Sequence, residues 1–305
     1  MKNSRVIASR TGTLVFMGLA VTGCTTTDYG AGVKAFSRAV SQATATQRTL
    51  ASAEEKAAVA EYIDHNAGRT AVINFNKCRA VPYKAGDCVV EVQGQRPPTV
   101  EPSSMGELTR YAALLSAVVT DKTCVSLQSD AADLASAVSG MAKNAHMSGL
   151  QGAVSPLANI VSAAGCIRIT HEQLAILRAA TERANPIIKK LIPIVAQNDD
   201  DMYSTAVDYA VSRLDDAATA YNKTKTAKEL EHVVRLSVSV DRAQSQNPVQ
   251  IIQQLAAIHQ ALTDDLRTPK VNWKRVEADG RAFVANAKTL GSSVEALAKA
   301  AKRTR

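Results

Sequence analysis

WKRVEADGRAFVANAKTLGSSVEALAKAA, residues 273–301, is the stretch that decides the fold class. Trp273, Val276, Gly280, Phe283, Ala287, Leu290, Val294, Leu297 and Ala301 recur at alternating steps of three and four. That spacing lays one apolar seam along a helix, and a seam of this length must be buried against other helices. The chain shows no self-similarity of the kind that builds solenoids. The expectation is therefore an all-α protein, an elongated antiparallel helical bundle with coiled-coil-like packing.

Working back toward the N-terminus, the same periodicity returns. Asn247-Pro248 reads as a cap and first-turn proline for a helix carrying Ile251, Leu255, Ile258 and Leu262. Asp199 to Asp201 reads as the start of a long helix through Val207, Val211, Leu214 and Tyr221, continuing to Val240. RLSVSV, residues 235–240, alternates and is also compatible with a strand. Upstream, Pro186 and Pro193 each cost about 3 kcal/mol inside a helix, so a kink or restart is expected there. Ile187, Ile188, Leu191, Ile192 and Val195 in that segment suit a buried core, with a partner groove as the alternative.

Thr170 and Gln173 form a capping box, as do Ser104 and Glu107, the latter opening a helix expected to run to about Asn144. Cys124 falls on the buried face of that helix, three residues before Leu127. Ser155-Pro156 starts a shorter helix ending near Gly165. The first long helix covers residues 33–65, with Val33, Phe36, Val40, Ala43, Leu50, Ala53, Ala57 and Ala60 on one face. Abundant alanine and only 4% aromatic residues favour long helices in close approach.

One segment breaks the helical period. AVINFNKC (71–78) and CVVEV (88–92) read as two short strands, a hairpin insertion at about residues 70–95. Cys78 then faces Cys88 across a loop with Arg79, Tyr83 and Lys84, which are candidates for contacting a partner. The plainer reading is a disulfide that stiffens an excursion. Besides Cys24 there are four cysteines, which allow three pairings; Cys78 with Cys88 and Cys124 with Cys166 is the expected set. Neither pair has the two-residue spacing of a zinc knuckle, so no metal site is expected.

The first residues follow a different logic. Lys2, Arg5 and Arg10 precede an apolar run from Gly12 to Thr22 that is too short to span a bilayer, which takes about 20 residues. Val21-Thr22-Gly23-Cys24 resembles the lipobox of bacterial lipoproteins. That resemblance implies a signal peptide over residues 1–23, acylation of Cys24, and a tether over 24–32 leading to a bundle domain over 33–305. Two or three acyl chains hold a protein to a bilayer almost permanently, where one binds only marginally. With Thr25 rather than Asp after the cysteine, the resemblance implies the outer membrane, with the body facing the periplasm. Export also makes disulfides chemically reasonable.

The formal charge is +8, and removing the three leader cations leaves +5. This mild excess favours anionic surfaces, and an exported protein has no use for nucleic acid. No catalytic motif survives inspection. HEQLA at His171 to Ala175 lacks the second histidine of a zinc-protease helix. His65, His146, His232 and His259 are scattered singly, and Asp199 to Asp201 is accounted for by a helix dipole. No cofactor is expected. The reading is a membrane-anchored envelope lipoprotein, a non-enzymatic scaffold or protein-interaction module with an envelope protein as partner. The alternative is a periplasmic inhibitor or immunity-type protein that captures an enzyme or toxin.

Overall fold

A computed structural model describes residues 29–67, 105–147, 169–268 and 273–302. Among them every element is a helix: α1 (Tyr29–Asn66), α2 (Gly106–Thr120), α3 (Cys124–Asn144), α4 (Ile169–Thr224), α5 (Ala227–Gln244), α6 (Pro248–Arg267) and α7 (Trp273–Ala300). The expected hairpin of residues 70–95 lies outside the described residues, as do Cys24, Cys78, Arg79, Tyr83, Lys84, Cys88, Cys166 and the helix of 155–165.

The seam of α7 is buried as its period requires: Val276, Phe283, Ala287, Leu290 and Val294 are all fully inaccessible. Its main neighbour is α1, and the two run parallel. Gly32 lies so close to Trp273 that a Cβ there would fall 2.2 Å from the indole. Farther along, Gly280 packs on Ala35, and the Thr46 hydroxyl donates to the Ala287 carbonyl at 3.0 Å. The two small residues let the backbones approach where larger side chains would hold them apart.

α4 is also parallel to α1. Tyr29 Oη donates to Gln173 Oε1 at 2.8 Å, Gln47 Nε2 to Asp199 Oδ1 at 2.7 Å, and Arg213 faces Asp64 at 3.5 Å. The bundle is thus mixed rather than wholly antiparallel. The antiparallel partners are α2 on α1, through Thr44 and Thr109 at 2.8 Å, and α3 on α2, through Arg110 and Asp133 at 3.1 Å. α5 and α6 together form the return strand of helix along α4: Tyr203 Oη donates to the Ala243 carbonyl, Asn185 Nδ2 to Gln260 Oε1, and Arg178 Nε to the Leu266 carbonyl.

Several boundaries differ from the sequence expectation. Pro186 and Pro193 sit inside an unbroken helix of 56 residues, about 84 Å long. The buried run Ile187, Ile188, Leu191, Ile192 and Val195 spans both prolines. Its burial, about 1.5–3 kcal/mol per large apolar side chain, offsets the proline penalty. Asp199 to Asp201 is therefore mid-helix and not a cap. Conversely, the helix expected over 104–144 is broken at Asp121–Thr123, where Thr123 Oγ1 accepts from Ser126 N at 3.2 Å and starts α3. Cys124 is then a half-buried residue in the first turn, not part of an inner face.

Ser104 lies outside the described residues, and Thr170 is inside α4 rather than a cap. Met105 is the N-cap of α2 without a side-chain bond, and the Glu107 carboxylate packs against Gly140 of α3. Gln173 ties α4 to the end of α2 through the Asp121 carbonyl at 2.9 Å. Residues 235–240 are helical, and α4 gives way to α5 at Lys225, whose φ is 51°. The Asn247-Pro248 start of α6 is as expected, Asn247 Oδ1 accepting from Gln250 N at 2.8 Å.

Candidate functional site

Because α1, α4 and α7 run parallel, they define a near end, where all three begin, and a far end, where α1 and α7 finish. The two ends differ in filling. Near the start, Phe36 packs edge-on against Tyr111 and His259, with ring centroids 6.3 and 5.1 Å apart. A directed hydrogen-bond chain threads this core. Asn185 donates its amide N–H to Gln260, so its Oδ1 faces His259 Nδ1 at 3.3 Å and accepts a hydrogen bond from the N–H there. His259 Nε2 is then an acceptor, and Tyr111 Oη donates to it at 2.9 Å. Gln260 Nε2 carries the chain out to Asp264 at 2.7 Å.

Burial, with a smaller push from Lys189, lowers the His259 pKa to about 3, so the imidazole is neutral and fully occupied by partners. Both ring nitrogens are thus engaged within the core. Another buried ionisable group is Asp199, midway along the rod. Burial raises its pKa to about 7 against the opposing effect of the Gln47 hydrogen bond. Asp199 Oδ2 and Gln47 Oε1 both lack a partner. Protonating the carboxyl supplies the missing donor.

The far end is built from small residues. A groove of about 310 Å³ lies between α1, α4 and α7, floored by Ala53, Ala57, Ala206, Leu297 and Ala301. Ile63 and Tyr209 form part of its wall, and Lys56 and Lys302 stand on its rim. A shallower groove shares Lys56 and Lys302 and adds Arg48 and Lys299. Lys299 is held by Glu295 at 2.9 Å, and Arg213, 6% exposed in the groove wall, is held by Asp216 at 2.7 Å and by Asp64. Arg48, Lys56 and Lys302 form no ion pair among the described residues.

Among the described residues, the exposed large hydrophobics Ile63, Val211, Leu230, Val234 and Val238 are at this end, and Val125 is elsewhere. The pairing of Tyr203 with Ala243 sets Leu230, Val234 and Val238 level with the α4 residues that line the groove. These three recur every four residues and form one stripe on α5.

Of the expected site residues, Cys124 alone lies among those described. Cys124 is disulfide-bonded, to a partner outside the described residues. His65, His171 and His232 lie on separate helices, and no three metal-ligating side chains cluster among the described residues. No described helix is long and apolar enough to cross a membrane. The sequence marks Ala53, Ala57, Ala60 and Ala301 only as seam positions, because an alanine there reads as core whether or not a neighbour fills the space beside it. Comparison of the chain with protein-family models, curated proteins and solved structures returns no match.

Proposed function

We propose that this chain is a lipid-anchored, non-enzymatic protein of the cell envelope, acylated at Cys24 and held at the periplasmic face of the outer membrane. There its helical body serves as a scaffold or protein-interaction module. The observation that carries the reading is the polarity of the rod. Cys24 is five residues from the start of α1, while the groove and five exposed large hydrophobics sit at the opposite end. Exposed apolar groups concentrated in one region favour a partner surface over chance. From Tyr29 to Ala57 the helix rises about 42 Å, so the far end stands clear of the headgroups.

Two finer elements belong to the same proposal. A Cys124–Cys166 disulfide would tie α3 to the segment before α4, in keeping with the disulfide-bonded state of Cys124. A Cys78–Cys88 staple would present Arg79, Tyr83 and Lys84. If the protein is instead an inhibitor or immunity-type binder, that loop is its recognition element, and Tyr83→Ala weakens the complex.

The test is mass spectrometry of the purified N-terminus together with detergent-phase partitioning. The proposal expects a diacylglycerol-modified Cys24 and a hydrophobic-phase protein that becomes aqueous in Cys24→Ala. An unmodified N-terminus contradicts the anchor. Crosslinking in intact envelopes then tests the module: a partner captured by wild type and lost in a Leu230→Asp, Val234→Asp double variant supports it, and unchanged capture removes the far end as the surface.

A further inference from the structure

We propose that the far-end groove binds a single-chain fatty acid, its hydrocarbon on the alanine floor and its carboxylate between Lys56 and Lys302. The claim is independent of whether Cys24 is acylated. The groove lies between three helices and is lined by alanines, Leu297, Ile63 and Tyr209, with Lys56, Lys302 and the paired Asp64 and Arg213 as its charged groups, and Ile63 remains 58% exposed on its lip. An apolar slot of about 310 Å³ with a few polar groups at one edge is at the small end of ligand sites. That volume suits one hydrocarbon chain.

The charge at the rim fixes the sign of the ligand. Lys56 and Lys302 on the rim form no salt bridge among the described residues, with the Glu295 carboxylate acting on Lys56 only at longer range, whereas Lys299 and Arg213 already hold carboxylates. The C-terminal ends of α1 and α7 nearby contribute about half a negative charge each, which the two rim lysines outweigh. An anionic head is therefore attracted and a cationic one repelled.

Two of the protein's own groups fit poorly. Residues 303–305, Arg-Thr-Arg, carry the same charge as the rim. An acyl chain on Cys24 starts at the other end: five tether residues reach at most about 17 Å, against the roughly 42 Å that separates Tyr29 from Ala57. A fatty acid supplied from outside meets both the apolar floor and the basic rim.

The experiment is calorimetric titration of the full chain carrying Cys24→Ala with dodecanoate below its micelle concentration, and with dodecyltrimethylammonium in parallel. One saturable site for dodecanoate is expected, with at least tenfold weaker binding of the cationic amphiphile. Lys56→Glu with Lys302→Glu, both exposed, should weaken dodecanoate at least tenfold. Ala57→Trp should abolish it by filling the slot. Absence of a saturable site, equal binding of the two amphiphiles, or an affinity that the charge reversals leave unchanged would overturn the proposal. The surface variants keep the test decisive if Ala57→Trp does not fold.

Discussion

The two ends of the rod are made from the same three parallel helices, yet one is solid and the other open. At the near end the α1–α7 seam meets Trp273, Phe36, Phe283, Tyr111 and His259, and these bulky groups fill the space around the close contacts at Gly32 and Gly280. At the far end the equivalent seam positions are Ala53, Ala57, Ala298 and Ala301, and a groove is left. Large side chains, including Tyr111 from α2 and His259 from α6, close the near end, whereas small ones leave the groove at the far end.

The largest expected effect is at the near end. Phe283→Ala removes a fully buried ring and should cost about 3–5 kcal/mol, read as a lowered midpoint in chemical denaturation. A loss below about 1 kcal/mol would mean that this core is not packed as described.

Asp199, between the two ends, gives the next effect. Its folded pKa of about 7 lies above the ordinary 3.8, so its contribution to stability is complete below pH 3.8 and is lost as pH rises toward 7. His259 has the opposite sign. Its folded pKa of about 3 lies below 6.5, so its contribution is complete above pH 6.5 and is lost as pH falls toward 3. Between about pH 4 and 6.5 the two trends oppose each other, and the stability of the native chain should change little from these groups. Asp199→Asn can exchange both of its amide bonds with Gln47, should add about 1–4 kcal/mol at pH 8, and should leave stability falling with acid below pH 6.5. Equilibrium unfolding of both proteins across that range checks it, and parallel pH profiles would contradict the assignment of Asp199.

The smallest effect is at the far end. Ala60→Leu points a larger side chain into open space and should change stability by no more than about 0.5 kcal/mol in thermal melts. A strong destabilisation would show that the groove is closed in solution.

The sequence carried the helices well and their arrangement poorly. The α7 seam and the Asn247-Pro248 start follow from local rules, since period and capping depend only on neighbouring residues. Continuity of α4 through Pro186 and Pro193 depends on burial against other helices, which local propensity cannot report. Gln173 and Glu107 match a capping-box spacing but are used between helices, because a partner brought near by the fold competes for the same side chain. Parallel direction was hidden for a similar reason: short connections imply antiparallel neighbours, and α1 meets α7 across the whole chain. The groove follows from that direction, since only the parallel register brings Lys56 beside Lys302.

The shared direction of α1 and α7 is also the most direct thing to measure. A short amine-reactive crosslinker applied to the dilute protein, followed by peptide mass spectrometry, reads it from native lysines. The account predicts Lys56–Lys302 and Lys34–Lys274 links within one chain. Lys34–Lys302 or Lys56–Lys274 links in their place would reverse α7 and dissolve the far-end site.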